Sequence, residues 1–233
     1  PLTEYDTADK QTALYTSLLA DEDVKEDLVA TLVDTLGYDI EPQYLFNVLT
    51  NQAKQNLFQL NNLSRAFVEL SNKYDRFTGL FDDVDLQSRK LGGDDQQRNV
   101  TITEVLKKLG DIDVIGHEGD VIGDAYEYLI SQFASDAGKK AGEFYTPHMV
   151  SDMMAQIVAL GQEDKRHFSV FDPTMGSGSL MLNVRHYLDY PNGVSYHGQE
   201  MNTTTYNLAK MNLILHGVDS ENMRLRNGDS LNT

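Results

Sequence analysis

Three acidic residues recur at almost equal spacing in the second half of the sequence. Asp172, Glu200 and Asp229 are separated by 28 and 29 residues. Each closes a short apolar run: 168–172, then 194–199 ending at Glu200, then 223–226 running into Asn227-Gly228-Asp229. Each interval is long enough for one crossover helix with its loops, which the apolar spacing puts at about 179–188 and 204–215. Carboxylates at three successive strand tips could accept hydrogen bonds from hydroxyl and amino groups, and could face a cation. Between Asp172 and the first of these helices lies Pro173-Thr174-Met175-Gly176-Ser177-Gly178, a turn in which Gly176 and Gly178 leave room for a ligand to approach the backbone.

That set assigns a task to each position. Glu200 is placed to accept from both hydroxyls of a ribose, and Met201 to lie against a purine face. Asp229 can accept from an exocyclic amino group, and Asp172 can sit near an ammonium. Thr174 and Ser177 belong to the same loop and are candidate contacts. A lone Gly-x-Gly turn is a common structural device, so the three carboxylates decide the reading. Dinucleotide binding asks for a third glycine where this chain has Met181, and a phosphate-cradling loop asks for a Gly-Lys-Ser/Thr ending that the sequence lacks. The constellation points instead to a sulfonium nucleoside, S-adenosyl-L-methionine.

The elements that must position these residues alternate strand, helix, strand, helix, strand, which predicts a parallel sheet with right-handed crossovers. Ligands of such sheets lie beyond the carboxyl ends of the strands. Upstream, Thr146-Pro147 reads as the N-cap and first residue of a helix whose stripe is Val150, Met153, Met154, Ile157 and Leu160. Gly138 to Gly142 reads as a break, and Ile122, Tyr126, Leu129 and Phe133 mark another amphipathic helix. Residues 1–115 read as a separate helical domain serving assembly with a partner or a DNA complex. There, Val24, Leu28, Leu32 and Leu36 repeat every four residues before Gly37, a C-cap. Leu57, Leu60, Leu63, Phe67 and Leu70 form a second stripe, and a third helix is expected from Thr103. The polar segment Gly79–Asn99, with Gly92-Gly93-Asp94-Asp95-Gln96-Gln97, reads as a flexible loop. Residues 116–233 form the second domain, with the cofactor cradle.

Composition bounds the function. The net charge is −17, and the parts on either side of residue 115 are both acidic. A chain that gripped DNA alone would need a basic face, so another subunit must supply it if nucleic acid is the target. There is no cysteine, which excludes disulfides and thiolate metal sites. The six histidines form no i, i+4 ligand pair beside an acid, and Asp82, Asp83 and Asp85 lack calcium-loop spacing; no metal is expected. No apolar run approaches a membrane span, and the polar N-terminus carries no secretion signal, so a cytoplasmic chain is expected. It begins with Pro1, which reads as a trimmed product.

Four segments carry a family resemblance: Gly142-Glu143-Phe144-Tyr145-Thr146-Pro147, Asp172-Pro173-Thr174-Met175-Gly176-Ser177-Gly178, Gly198-Gln199-Glu200 and Asn227-Gly228-Asp229, in that order. Together they closely resemble the modification subunit of type I restriction–modification enzymes, which methylates the exocyclic N6 of adenine in DNA. The resemblance covers about 119–233 with specific motifs, and the helical first part resembles that family's N-terminal domain. It implies an α/β fold: a helical N-terminal domain followed by the first part of a class I S-adenosylmethionine-dependent methyltransferase (Rossmann-like) sheet. It implies that Phe144, Tyr145 and Thr146 close over the methionine end of the cofactor. Asp172, Gly176 and Gly178 would form the glycine loop, with Glu200 as the ribose acid and Asp229 on the adenine side. It further implies a DNA-specificity subunit, double-stranded DNA reached through that complex, and a restriction nuclease subunit where one accompanies it. The target adenine would be flipped out of the duplex, and its amino nitrogen would attack the methyl group directly.

One departure limits this. The family's Asn-Pro-Pro-aromatic motif, which polarises the adenine amino group and stacks on the flipped base, occurs nowhere in these 233 residues. The expectation is a fragment that binds cofactor without catalysing transfer and holds no catalytic residue of its own. The last strand would then have an open edge. The competing readings are a non-catalytic assembly module with a vestigial cofactor fold, and a stand-alone adenine methyltransferase with its own recognition domain.

Overall fold

A computed structural model describes residues 8–112, 120–137 and 146–232. The chain divides into two compact units, Pro1–Ile115 and Gly116–Thr233.

The first unit is helical: α1 (Ala8–Ala20), α2 (Glu22–Leu36), α3 (Phe46–Lys54), α4 (Leu60–Lys73) and α5 (Asp95–Leu109). Helix α2 starts where the Asp21 side chain accepts from the Asp23 amide, and stops at left-handed Gly37, whose N–H donates to the Val33 carbonyl. Leu49, Ala53, Phe58, Leu60 and Leu106 form the core of this unit. Helix α5 begins eight residues before Thr103, inside the segment expected to be a loop. Its start is set by Asp94, whose side chain accepts from the Gln97 amide at 2.8 Å. The polar run after it is the solvated first turn of a helix, which apolar periodicity cannot reveal.

The second unit contains α6 (Val121–Ala137), α7 (His148–Ala159), β1 (Phe168–Asp172), α8 (Ser179–Asn183), β2 (Val194–Glu200), α9 (Thr203–Leu215) and β3 (Met223–Asn227). The strands form one parallel sheet in the order β1-β2-β3. Register places Asp172 beside Gly198, and Glu200 beside Asn227. The sheet's contribution to the core comes from one face: Phe168 and Val170, Val194 and Tyr196, Met223 and Leu225. These pack with Ala155, Met181, Leu182, Ala209 and Leu213 of the helices. Ser169, Phe171, Arg224 and Arg226 on the opposite face are exposed. Among the described residues both β1 and β3 are edge strands.

Three local expectations are corrected. The helix expected over 179–188 is α-helical only to Asn183 and continues as a 3-10 turn over Val184–Tyr187. Helix α7 begins one residue later than expected: Pro147, with extended backbone, is the N-cap, and its carbonyl accepts the Ser151 amide at 3.1 Å. The Thr146 side chain makes no capping bond there; ends of helices shift by a residue with such details.

The third correction concerns which faces are buried. On α7 the small residues Ser151, Ala155 and Ala159 are buried, at helical spacing, and Met153, Met154, Ile157 and Leu160 are exposed. On α6, Ile130 and Ala134 are buried, whereas Ile122, Leu129 and Phe133 are exposed. On α7 small side chains allow close approach and the bulky stripe lies outward, whereas α6 buries Ile130 together with Ala134. The energetics follow from this assignment. Ala155→Leu, at a site with 0% exposure, should lower stability by about 1–3 kcal/mol through overpacking. Ile157→Ser, 65% exposed, should change it by no more than about 0.5 kcal/mol. Urea titration of the two variants checks the assignment, and the reverse ranking would refute it.

Candidate functional site

The site is assembled where three parallel strands end together. From β1 the chain enters 173–178, and two glycines there have left-handed backbone: Gly176 with φ 54° and Gly178 with φ 80°. That region penalises any residue with a Cβ. At Gly178 a Cβ would also lie 2.9 Å from Leu213 Cδ1 and 3.5 Å from Ala209 Cβ. The turn therefore lies directly on α9. Gly198 serves the same close packing from β2, since a Cβ there would meet Met175 Sδ at 2.3 Å.

Hydrogen bonds join the three strand ends. The Met175 amide donates to the Gln199 carbonyl at 3.0 Å, and Gly178 N–H donates to the Met175 carbonyl at 2.8 Å. Glu200 accepts from the Gly176 amide at 3.2 Å through one carboxylate oxygen, and from the Asn202 amide at 2.8 Å through the other. From β3, the Gly228 amide donates to the Glu200 carbonyl at 2.9 Å. The Asn227 side-chain amide donates to the carbonyls of Glu200 at 2.8 Å and Met201 at 3.2 Å. Ser230 Oγ donates to the Pro173 carbonyl, so the segment after β3 reaches the loop after β1.

Asp172 closes an Asx turn, its Oδ1 accepting from the Thr174 amide at 2.9 Å. Asp229 does the same one strand end away, accepting from the Leu231 amide at 2.9 Å and from Asn232 Nδ2 at 2.6 Å. Met201 is exposed beside Glu200.

A cavity of about 410 Å³ opens between α7 and this loop. Thr146, Asp172, Thr174, Gly176 and Ser177 line it with polar groups, and Met154, Val158, Val170 and Phe171 form its apolar wall. Gly178, Glu200, Met201 and Asp229 do not line it. Gly178 packs behind the loop, and Glu200 reaches the loop through the Gly176 amide. Asp229 meets this assembly only through its neighbours Gly228 and Ser230. Phe144 and Tyr145 lie outside the described residues, as do Gly138–Gly142. A second, polar cavity of about 330 Å³ shares Thr146 and Ser179 with the first. Its walls include Asp124 and Glu127 of α6, Ser151, and Asn183. In the core on β2 the phenol of Tyr196 is pushed up to about 12 by burial, so it stays neutral among apolar neighbours.

Sequence reasoning left several of these contributors without roles. Gln199 links two strand ends through its backbone and through Nε2, which donates to the Gly228 carbonyl at 3.2 Å. Asn227 ties β3 to the backbone after β2. Both stand inside motifs already singled out, so adjacency to a functional acid was the available signal. Asn212, fully buried under the loop, carries a different one: a polar residue on the helical face defined by Ala209 and Leu213. Among the described residues no group of histidine and acidic side chains could hold a metal ion, and no helix is long and apolar enough to cross a membrane.

The chain was compared with known proteins. The N-6 DNA Methylase family model matches residues 117–233, and the HsdM N-terminal domain model matches residues 3–109. The type I restriction enzyme MpnII methylase subunit of Mycoplasma pneumoniae is 36% identical over 94% of this chain and 43% of its own length. The MjaVII methylase subunit of Methanocaldococcus jannaschii is 31% identical over 71% of this chain and 29% of its own. A crystal structure of the type I restriction-modification system methyltransferase subunit from Streptococcus thermophilus superposes with a TM-score of 0.92 at 48% identity. It matches 97% of this chain and 48% of that one. This chain thus spans less than half the length of these relatives. The match at that similarity gives this chain the fold of the corresponding part of that methyltransferase subunit: a helical N-terminal unit followed in sequence by a small parallel sheet with its helices. The chain belongs to the N-6 DNA methylase family, with an HsdM N-terminal domain preceding the methylase region.

Proposed function

We propose that the cleft at the carboxyl ends of β1–β3 binds S-adenosyl-L-methionine, with the chain forming part of the methylase subunit of a type I restriction–modification system. The full-length subunit would transfer the methyl group to N6 of adenine in double-stranded DNA. A specificity subunit would supply DNA recognition, and a nuclease subunit would join where the system has one. The observation that carries the reading is the direct hydrogen bond between the glycine loop and the acid at the tip of β2. Family membership and the methylase names of the relatives support it.

The residues present suit such a ligand. A carboxylate has about four acceptor positions, so Glu200, which uses one per oxygen on backbone amides, keeps capacity for two ribose hydroxyls. Gly176 keeps a side chain out of the approach, and Gly178 lets the loop lie close on α9. Asp172 sets a negative charge at the cavity that Thr146 also lines, where the amino-acid end would lie. Met201 and Asp229 would contact the purine. When bound, the cofactor supplies an electrophilic methyl group on a sulfonium. The chain's own contribution is then to bind, orient and exclude water, which suits a transfer driven by alignment and electrostatics. These 233 residues contain no Asn-Pro-Pro-aromatic motif, so by themselves they hold the donor without a partner for the acceptor base. Cytoplasmic residence follows from this function.

Three outcomes are expected. Calorimetry should detect S-adenosyl-L-methionine binding by the 233-residue chain, and Glu200→Ala should weaken it by at least about 100-fold, because two hydrogen bonds to a charged acceptor are lost. No binding by the unaltered chain would leave the assembly-module reading in its place. Radiolabelled methyl transfer from the cofactor to adenine-containing duplex DNA should be undetectable with this chain alone, and measurable incorporation would refute that part of the reading. Gly178→Ala should cost about 1–2 kcal/mol of stability for the left-handed backbone alone and should weaken cofactor binding; equal stability in a denaturation assay would contradict the packing described.

A further inference from the structure

Asn212 is an anomaly in a helix face built for packing. Its neighbours on that face, Ala209 and Leu213, are completely buried, and so is Asn212, at 0% exposure. A leucine would satisfy the packing without desolvating an amide. Instead the two N–H groups of Asn212 Nδ2 are shared among three acceptors within reach: the Ser177 carbonyl at 3.1 Å, Ser179 Oγ at 3.4 Å and Glu127 Oε1 at 3.4 Å. Its Oδ1 is buried without a hydrogen-bond partner. The amide thus carries a burial cost on one side and spends its whole donor capacity on the glycine loop and on α6.

The bond to Ser177 falls on a sensitive peptide. Ser177 C=O and Gly178 N–H belong to one peptide plane, and Gly178 has φ 80°. A peptide next to a left-handed glycine can rotate at low steric cost, because glycine tolerates both signs of φ. Here both ends of the plane are held. Gly178 N–H donates to the Met175 carbonyl, and Ser177 C=O accepts from Asn212. The local bond closes the turn, and the bond from α9 reaches it from outside. Asn212 is in turn oriented by Glu127, and just past the end of α9 His216 Nε2 lies 3.8 Å from Oδ2 of Asp120, the residue before α6.

We propose that Asn212, oriented by Glu127, is the positioning residue that locks the Ser177–Gly178 peptide of the cofactor loop in its binding orientation. The proposal rests on the assignment of this loop to S-adenosyl-L-methionine. It couples the loop to a fully buried side chain of α9 and to an acid on the wall of the neighbouring polar cavity.

The test uses the 233-residue chain and two readouts. Asn212→Asp keeps shape and loses both donors when ionised. At pH 8, hydrogen exchange of the amides in 174–179 of the ligand-free chain should be about tenfold faster than in the unaltered chain, the worth of one internal hydrogen bond. Exchange in β1–β3 and in the body of α9 should be unchanged. Affinity for S-adenosyl-L-methionine should fall about tenfold. Towards pH 6 both differences should narrow, because burial beside Glu127 raises the new carboxyl's pKa and the protonated group can donate again. Glu127→Ala, at a partly exposed site, should accelerate loop exchange about two- to threefold, and it decides the matter should Asn212→Asp not fold. Unchanged loop exchange in these variants, or uniform acceleration across sheet and helix, overturns the proposal. Loss of loop protection in a chain that never bound the cofactor would retain the positioning role and reject the cofactor assignment.

Discussion

The in-register pairing of three parallel strands is the constraint on which the rest of the second unit depends. Because Asp172 pairs with Gly198, and Glu200 with Asn227, the chain leaves each strand at a staggered but adjacent level on the same side of the sheet. Each exit is then within one hydrogen bond of the next. Met175 reaches Gln199, Gly176 reaches Glu200, and Gly228 reaches the Glu200 carbonyl. A slip of one residue would turn every side chain of a strand to the other face, carrying Val194 and Tyr196 out of the core and Glu200 away from the loop. The same pairing that buries the apolar face therefore sets the position of the acid.

The glycine loop depends on this pairing and on close packing behind it. Gly178 touches α9, and Gly198 makes room for Met175, so two missing side chains let a turn and a helix share space that would otherwise separate them. The buried polar cluster of Asn212, Ser177 and Ser179 lies in that contact. Polar groups removed from water are costly unless satisfied, and when satisfied they fix geometry more narrowly than apolar contact does. The loop's backbone is thus specified from the front by Glu200 and from behind by Asn212.

Much of this was legible in the sequence, for physical reasons that also explain the gaps. The strands announce themselves as short apolar runs that end in an acid or in Asn-Gly-Asp, and β1, β2 and β3 lie where those runs are. Gly37 ends α2 as a left-handed cap because no other residue type takes φ 82° so cheaply. On α6 and α7 the apolar stripe that marks the helix in the sequence is not its buried face. On α7 hydropathy weights Met153 and Ile157 over Ser151 and Ala155, but close packing there selects small residues, so its largest apolar side chains mark the outward face. Helix α5 was shortened because its first turn is polar and solvated. The side chains that tie the site together, Gln199, Asn212 and Asn227, give no periodic signal; their roles are fixed by tertiary distances. Of the acids, Glu200 meets the loop directly, whereas Asp229 does so only through Gly228 and Ser230, a distinction invisible in their equal spacing.

Among the described residues the two outer strands of the sheet differ in the side chains they carry. An unpaired strand offers a row of free amide and carbonyl groups to any other chain, and charged residues are a common defence. Strand β3 carries Arg224 and Arg226, both exposed, and a strand approaching it would have to accommodate two cations. Strand β1 reads Phe-Ser-Val-Phe before Asp172, with no charge along its first four residues and with Phe171 66% exposed. Beside it stands the outward apolar stripe of α7, whose Met154 and Val158 share a cavity wall with Phe171. Backbone hydrogen-bonding capacity and apolar surface therefore coincide at β1 and are separated at β3. With a net charge of −17, general repulsion between copies opposes association everywhere on the chain, but it is weakest as a local defence where no charge stands on the strand itself.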